Sequence, residues 1–513
     1  MKNWREFFKK KKITVIGLGL LGRGLGDAIF LAEHGAELIV TDLRDEKTLA
    51  PSLAKLERYK DIRYTFGGHK LEDFRKRDFI LKAAGVPLDS PYIAEARKNK
   101  IPIKMDASLF AKLMPKGIIL VGVTGTRGKS TTTALIYEIL KERFKIYDLR
   151  FKNRKKPKVY RGGNLLSEAT LPLLEKVHAG DIVVLELDSW QLQGFHDAKI
   201  SPQVAVFTTF LDDHLLYYKG NRKRYFEDKA AIFRYQKKGD VLIAGEQVVS
   251  AGPNFTSGNL PADWKAGRLN RGGRKGSTLN LGKGRTLVTA RTADVPSHWK
   301  IPLLGGHNLE NIACAIAVAK HFKIPDVVIQ KAVENFKPVP GRLEYLRTIQ
   351  GVKIYNDNNA TTPDATIAAL RALNSKSQIP NHKQIPISKS QTDRKIILIC
   401  GGTDKGLNMS KLVAEIPKHC KAVVFLKETG TDKLLSEFPG LNSPLVKGVF
   451  ESARTGAVIS RKETLKQCVD EAMKVAKKGD IVLFSPAFAS FGKWFKNEYD
   501  RGTQFVRLIR DLK

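Results

Sequence analysis

The chain has 513 residues, 42% hydrophobic and 27% charged, an ordinary globular composition that excludes a mostly disordered chain. Lys+Arg 88 against Asp+Glu 52 leaves a formal charge of +36, which favours anionic ligands without choosing between small ones and nucleic acid. Apolar stretches such as Ile396–Cys400 and Ile481–Phe484 are far shorter than the roughly 20 residues of a membrane helix, so no span is expected.

At the N-terminus, Lys9–Lys12 followed by apolar Ile13–Gly22 imitates a secretion signal, but Arg23 stands where small cleavage-site residues belong. The expectation is a first strand and turn in a cytoplasmic protein. Cys314, Cys400, Cys420 and Cys468 lack CxxC spacing and read as thiols in a reducing compartment. Ile13–Ile16 and Glu37–Thr41 are predicted strands flanking a helix from about Arg23 to His34. Between strand and helix lies Gly17-Leu-Gly19-Leu20-Leu-Gly22, and Asp42 follows 20 residues after Gly22. That spacing satisfies the dinucleotide fingerprint and leaves a dehydrogenase open at this point.

The second block opens with a strand at Ile118–Val123, then Gly125-Thr126-Arg127-Gly128-Lys129-Ser130-Thr131 and a helix. Backbone N–H groups of such a loop face phosphate oxygens, the lysine reaches the outer phosphates and the serine offers an oxygen to Mg²⁺. A nucleoside triphosphate is the expected ligand. Strands at Ile182–Leu187 and Val204–Thr208 follow, with Glu186 at a strand end where open α/β sheets place ligand groups. Asp188 stands close by as a second possible carboxylate. Gly239–Lys300, rich in Gly and Ser, is predicted to be irregular or antiparallel structure at the sheet edge.

A hinge is expected at Pro338-Val-Pro340-Gly341, followed by strands at Val352–Tyr355, Lys395–Cys400, Ala422–Phe425 and Asp480–Phe484. Ser375–Arg394 reads as an exposed, mobile insertion, and a basic run spans Lys152–Lys158. Short strands alternating with amphipathic helices throughout predict an α/β chain with parallel sheets and about three domains.

The motifs, in this order and over nearly the whole chain, resemble the Mur ligase superfamily. The loop Gly125–Thr131 is similar to its ATP loop, and Glu186-Leu-Asp188-Ser-Trp-Gln191-Leu to its Glu-Leu/Val-Ser-Ser-Phe/Tyr-Gln-Leu element. Asp213-His214, with Lys229 fifteen positions on, corresponds to an Asp-His segment and a lysine that the family carries as a carbamate. Further matches are Gly162-Gly-Asn164, Gly306-His-Asn308-x-x-Asn311, Pro340-Gly-Arg342-Leu-Glu344, Gly401-Gly-Thr-Asp-Lys405 and Ser485-Pro-Ala-Phe-Ala-Ser490. Asn356-Asp357 leading to Thr361 points to the glutamate-adding sub-family.

The resemblance implies three domains: a Rossmann-like N-terminal domain (1–110), a central P-loop domain with a parallel sheet (111–338) and a Rossmann-like C-terminal domain (339–513). It implies ATP-dependent joining of D-glutamate to UDP-N-acetylmuramoyl-L-alanine, with Mg²⁺, two ions in number, and a CO₂-derived carbamate on Lys229. The catalytic set would be Lys129, Glu186, His214, Lys229 and Arg342, the last reaching the γ-phosphate. ATP would be held by Gly125, Thr126, Gly128, Lys129, Ser130, Thr131, Asn308, Asn311, Arg342 and Asp357. The UDP substrate would meet Gly19, Leu20, Asp42, Asn164 and His214, in place of any redox chemistry. Glutamate would meet Thr361, Lys405 and Ser490, and the metal Ser130, Glu186, His214 and carbamylated Lys229. The partners are then small molecules, with no nucleic acid required and no membrane span, and the protein is expected as a monomer. The enantiomer of glutamate stays open at this stage. The alternatives are a folylpolyglutamate-synthase-like glutamate ligase, which shares the ATP loop, and a basic P-loop ATPase that binds nucleic acid.

Overall fold

Runs of β-branched residues, most of them followed by a helix, build three separate sheets. The structure is a computed structural model that describes residues 4–20, 22–148, 157–164, 168–214, 217–250, 278–280, 285–374, 395–438, 458–490 and 492–512. The segments 152–156 and 375–394, read from the sequence as a basic run and an insertion, lie outside the described residues.

The first sheet holds β1 (Lys12–Ile16), β2 (Glu37–Asp42), β3 (Ile62–Phe66), β4 (Phe79–Lys82) and β5 (Ile103–Lys104), in the order β3-β2-β1-β4-β5. Both neighbours of β1 run parallel to it, so the chain reverses direction across the sheet between β1 and β4. Ligands of open α/β sheets lie at such a switch point, beyond the carboxyl ends of the strands. The helix Arg23–Glu33 seats there because Gly24 has no side chain: a Cβ would fall 2.5 Å from the carbonyl oxygens of Gly17 and Leu18.

The second sheet holds β6 (Ile119–Thr124), β7 (Val159–Gly163), β8 (Ile182–Glu186), β9 (Val204–Phe207), β10 (Val241–Gly245), β11 (Thr278–Asn280) and β12 (Thr286–Ala290). Its order is β11-β12-β10-β9-β6-β8-β7. The expectation for Gly239–Lys300 is corrected in part. β10 and β12 are regular parallel strands and only β11 is antiparallel, at the edge. Val241–Ala244 are buried, which selects a central strand despite the polar, glycine-rich surroundings.

The third sheet comprises β13 (Glu344–Ile349), β14 (Val352–Asn356), β15 (Ile396–Cys400), β16 (Cys420–Leu426), β17 (Val458–Lys462) and β18 (Ile481–Phe484), ordered β13-β14-β18-β15-β16-β17. Only β13 is antiparallel. Alternate residues feed two cores: Ile396, Leu398, Val423 and Leu483 on one face, Ile397, Ile399, Val424 and Val482 on the other. Each such buried aliphatic side chain contributes about 1.5–3 kcal/mol relative to exposure.

The chain divides into two compact units, one of Met1–Phe210, Lys223–Asp294 and Glu310–Ala332, the other of Leu211–Arg222, Val295–Leu309 and Val333–Lys513. The first two sheets belong to the former and the third to the latter. Among the described residues no helix is long and apolar enough to cross a membrane.

Candidate active site

In the second sheet β6 lies between β8 and β9, so the loop leaving its carboxyl end is flanked by theirs. Gly125 opens that loop at φ 151°, and a Cβ there would meet the Thr208 hydroxyl at 2.0 Å. Glycine is therefore required. Thr126 N donates to the Thr209 carbonyl at 2.7 Å, and Arg127 N donates to Thr209 Oγ1 at 2.8 Å. The hydroxyls of Thr208 and Thr209 both donate to the Arg127 carbonyl. Two threonines just beyond β9 thus hold the loop.

Lys129 opens the helix Lys129–Asp148 and turns its Nζ to the carbonyls of Gly125 (3.0 Å) and Thr126 (3.2 Å). Lys229, on the helix Arg222–Arg234 and only 1% exposed, donates to the same Gly125 carbonyl at 2.8 Å, with the Tyr225 ring centroid 5.0 Å from its Nζ. Two lysines distant in sequence converge on one carbonyl oxygen. Ser130 and Thr131 are buried in the first helical turn, and the Asn311 carboxamide lies against Gly128 and accepts from the Thr132 hydroxyl at 3.4 Å. A positive helix end, backbone donors and Lys129 make a seat for a polyphosphate.

Glu186 ends β8, opposite Val123 of β6. Its carboxylate is buried: Oε1 lies 3.5 Å from Asn164 Nδ2, and Oε2 has no hydrogen-bond partner among the described residues. An unsatisfied buried carboxylate oxygen beside a phosphate loop suits a hard cation. Among the described residues no three His, Cys, Asp or Glu side chains gather into a ready-made cage. Magnesium, which keeps waters and phosphate oxygens as ligands, does not need one. Asp188, read from the sequence as a possible second carboxylate, caps the helix Ser189–Ala198. Its Oδ1 accepts from Gln191 N at 2.7 Å, and the Gln191 side chain reaches back to Asp188 N, a capping box.

In the first sheet, Asp42 Oδ2 accepts from Gly19 N at 2.8 Å, and Oδ1 accepts from Arg44 N and its guanidinium at 3.0 and 3.2 Å. Asp42 thereby braces the glycine turn, and Leu20 sits half-buried within that turn. Across the switch point the loop after β4 is closed by Lys82, which sequence reasoning missed. Buried to 2%, it donates to the carbonyls of Ala83, Ala84 and Val86, and burial pushes its pKa down to about 8. A lone lysine at a strand end carries no local signal of this role.

In the second unit, the Lys405 ammonium pairs with Asp213 Oδ1 at 3.0 Å and lies 3.5 Å from Thr361 Oγ1. Thr403 and Ala489 bond reciprocally at 3.1 Å, so the loops carrying Lys405 and Ser490 are stitched together. Three residues assigned to one ligand from the sequence therefore share one neighbourhood. Asp357 is buried, with Oδ1 accepting from Leu343 N (3.0 Å) and Oδ2 from the Ser485 hydroxyl (2.9 Å). Burial outweighs these bonds and neighbouring Arg342, and raises the carboxyl to about 7. Arg342 donates to the Asn359 carbonyl at 3.1 Å. His214 adopts a left-handed backbone at φ 55°, its N–H held by Asp213 Oδ1 at 2.9 Å. The Asn308 carboxamide donates to the Leu304 carbonyl at 2.8 Å.

Arg501, fully buried, was missed as an organiser. Its guanidinium donates to Asn358 Oδ1 (2.7 Å), the Asn358 carbonyl (2.9 Å) and the carbonyls of Phe488 (3.3 Å) and Ala489 (3.2 Å). Burial holds it down to about 9. Phe488 and Ala489 lie 13 and 12 positions away, but Asn358, which takes two of the bonds, is 143 positions away and beyond any local signal.

Comparison with known proteins places these elements in a family. Residues 11–104 match the model of the Mur ligase MurD-like N-terminal domain, 123–319 that of the Mur ligase middle domain, and 341–488 that of the Mur ligase glutamate ligase domain. The chain is 35% identical to the UDP-N-acetylmuramoylalanine–D-glutamate ligase of Roseiflexus sp. (strain RS-1), covering 98% of this chain and 99% of that protein. It is 31% identical to the protein of the same name from Borreliella afzelii (strain PKo), covering 98% of each. Among solved structures, the UDP-N-acetylmuramate-alanine ligase MurC of Thermotoga maritima shares the fold, with a TM-score of 0.55 at 20% identity over 98% of this chain and 100% of that one.

Proposed function

The chain belongs to the Mur ligase family, and from that premise we propose that it joins D-glutamate to UDP-N-acetylmuramoyl-L-alanine at the expense of ATP. The relatives bearing that activity in their names match it end to end. The geometric observation that supports the chemistry best is the buried Glu186 oxygen, without a hydrogen-bond partner among the described residues, beside a phosphate loop that carries Lys129.

The acceptor's carboxylate attacks the γ-phosphorus of ATP, which releases ADP and leaves an acyl phosphate. The amine of glutamate then attacks the acyl carbon and phosphate departs. Phosphoryl transfer asks the protein for position and counter-charge more than for covalent help. Lys129 and the loop N–H groups supply both, and we assign Arg342 the same charge-stabilising part. Asn311, set against the phosphate loop, and Asn308, Thr126, Gly128, Thr131 and Asp357 complete the ATP set.

Ser130, Glu186 and His214 are the residues we assign to two magnesium ions, which when bound neutralise phosphate charge. Lys229 as a carbamate would join them. The modified side chain presents oxygens suited to magnesium. Gly19, Leu20, Asp42 and Asn164 take the sugar nucleotide; Thr361, Lys405 and Ser490 take glutamate. On this reading residues 1–110, 111–338 and 339–513 divide the work as acceptor, nucleotide and amino-acid domains of a cytoplasmic monomer.

The test is phosphate release and product mass with UDP-N-acetylmuramoyl-L-alanine, ATP and each glutamate enantiomer in turn. Release that depends on D-glutamate, with a product heavier by one glutamyl group, is expected. ATP hydrolysis that never yields the amide under any magnesium or bicarbonate condition overturns the assignment and favours a P-loop ATPase of another kind.

A further inference from the structure

Arg23 is the first residue of the helix that leaves the glycine turn, and nothing above gives it a task. Its Nη2 donates to Asn164 Oδ1 at 3.0 Å. Asn164 lies just past β7, its backbone N–H fixed to the Glu186 carbonyl at 2.7 Å, and its Nδ2 faces Glu186 Oε1 at 3.5 Å. With the backbone pinned, the remaining freedom is which end of the carboxamide faces the carboxylate. A guanidinium has donors only, so it takes the amide oxygen and leaves the amino group for Glu186. Were the amide turned round, an oxygen would face the carboxylate and push it from its place.

The surroundings keep Arg23 available for this. Its Nε is buried without a hydrogen-bond partner among the described residues. Asp27, one turn along the same helix, is pushed up toward its neutral form by burial and by the Asp106 carboxyl, and so offers the guanidinium less counter-charge.

We propose that Arg23 is a positioning residue for the metal site: by fixing the Asn164 carboxamide it holds Glu186 in place and ties the sugar-nucleotide turn to the magnesium carboxylate. The inference rests on Glu186 being a metal ligand. Outer partners of this sort are worth roughly tenfold or more in metal affinity.

The test is Mn²⁺ titration by electron paramagnetic resonance on the full chain, with a non-hydrolysable ATP analogue present, for Arg23→Met, Arg23→Gln, Arg23→Lys and Glu186→Gln. Arg23→Met and Arg23→Gln are expected to bind Mn²⁺ roughly tenfold more weakly. Analogue affinity without divalent ions should stay within about twofold, because no ATP contact is touched. Arg23→Lys should recover most of the loss, since an ammonium is also a pure donor, whereas glutamine can satisfy either amide orientation. Packing alone would make Gln and Lys equivalent. If Arg23→Met binds Mn²⁺ like wild type while Glu186→Gln does not, or if lysine rescues no better than glutamine, the role of Arg23 is overturned. If Glu186→Gln is also unaffected, the metal reading of Glu186 falls with it. Circular dichroism confirms folding of each variant, and Arg23→Lys keeps the test decisive should Arg23→Met not fold.

Discussion

The phosphate loop and the loops around Lys405 are both irregular backbone at strand ends, yet they are held by different means. Glycine, two threonine hydroxyls and backbone bonds fix Gly125–Gly128. Buried ionisable groups, Asp357 and Arg501, organise the third-sheet loops. Neutral hydroxyls do not titrate near neutrality, whereas a carboxyl raised to about 7 does. One site should therefore be indifferent to pH over a range in which the scaffold of the other is not.

The largest break comes from Lys129→Ala. Removing the cation assigned to the phosphates should lower kcat roughly a thousandfold with an unchanged circular dichroism spectrum. A loss under tenfold would mean that the loop's N–H groups carry the charge alone. Next comes Arg501→Met, which removes four hydrogen bonds, leaves only the Ala489 carbonyl with another donor (Thr403 N), and should cost about 4 kcal/mol by urea denaturation. Lysine at this position should not restore it, because one ammonium cannot span that set.

Asp357→Asn sharpens the contrast through pH. The folded carboxyl, raised to about 7, binds a proton that the unfolded one releases near 3.8. Its contribution is therefore full below the lower value and lost as pH rises through the upper one. Wild type should lose about 2 kcal/mol from this group between pH 5 and 7, and the variant should not. Denaturation curves at the two pH values decide it. The smallest effect belongs to Thr209→Val, which deletes the hydroxyl between Arg127 N–H and C=O and should raise the KM for ATP about fivefold, with serine restoring it.

What the sequence revealed follows the same divide. The phosphate loop and the first strands were legible because glycine spacing, a lysine and β-branched runs act over a few residues. Arg501 was not, since its task is defined by Asn358, 143 positions away. Asp188 carried a signal of the opposite kind, local and unread. Its spacing to Gln191 is a local capping signature that outweighs its placement beside Glu186. β10 and β12 were hidden in a stretch whose average composition is that of a loop, although Val241–Ala244 is apolar enough for a sheet interior. Arg23 was read only as an obstacle to secretion.

The ion pair between Lys405 and Asp213 has a consequence for how the amino acid arrives. With Lys405 assigned to an incoming carboxylate, the newcomer either shares the ammonium with a resident one or displaces it, and displacement trades like for like. Little net attraction is left over, so occupancy tracks the supply of free amino acid, and discrimination depends on what else the newcomer touches once the swap is made.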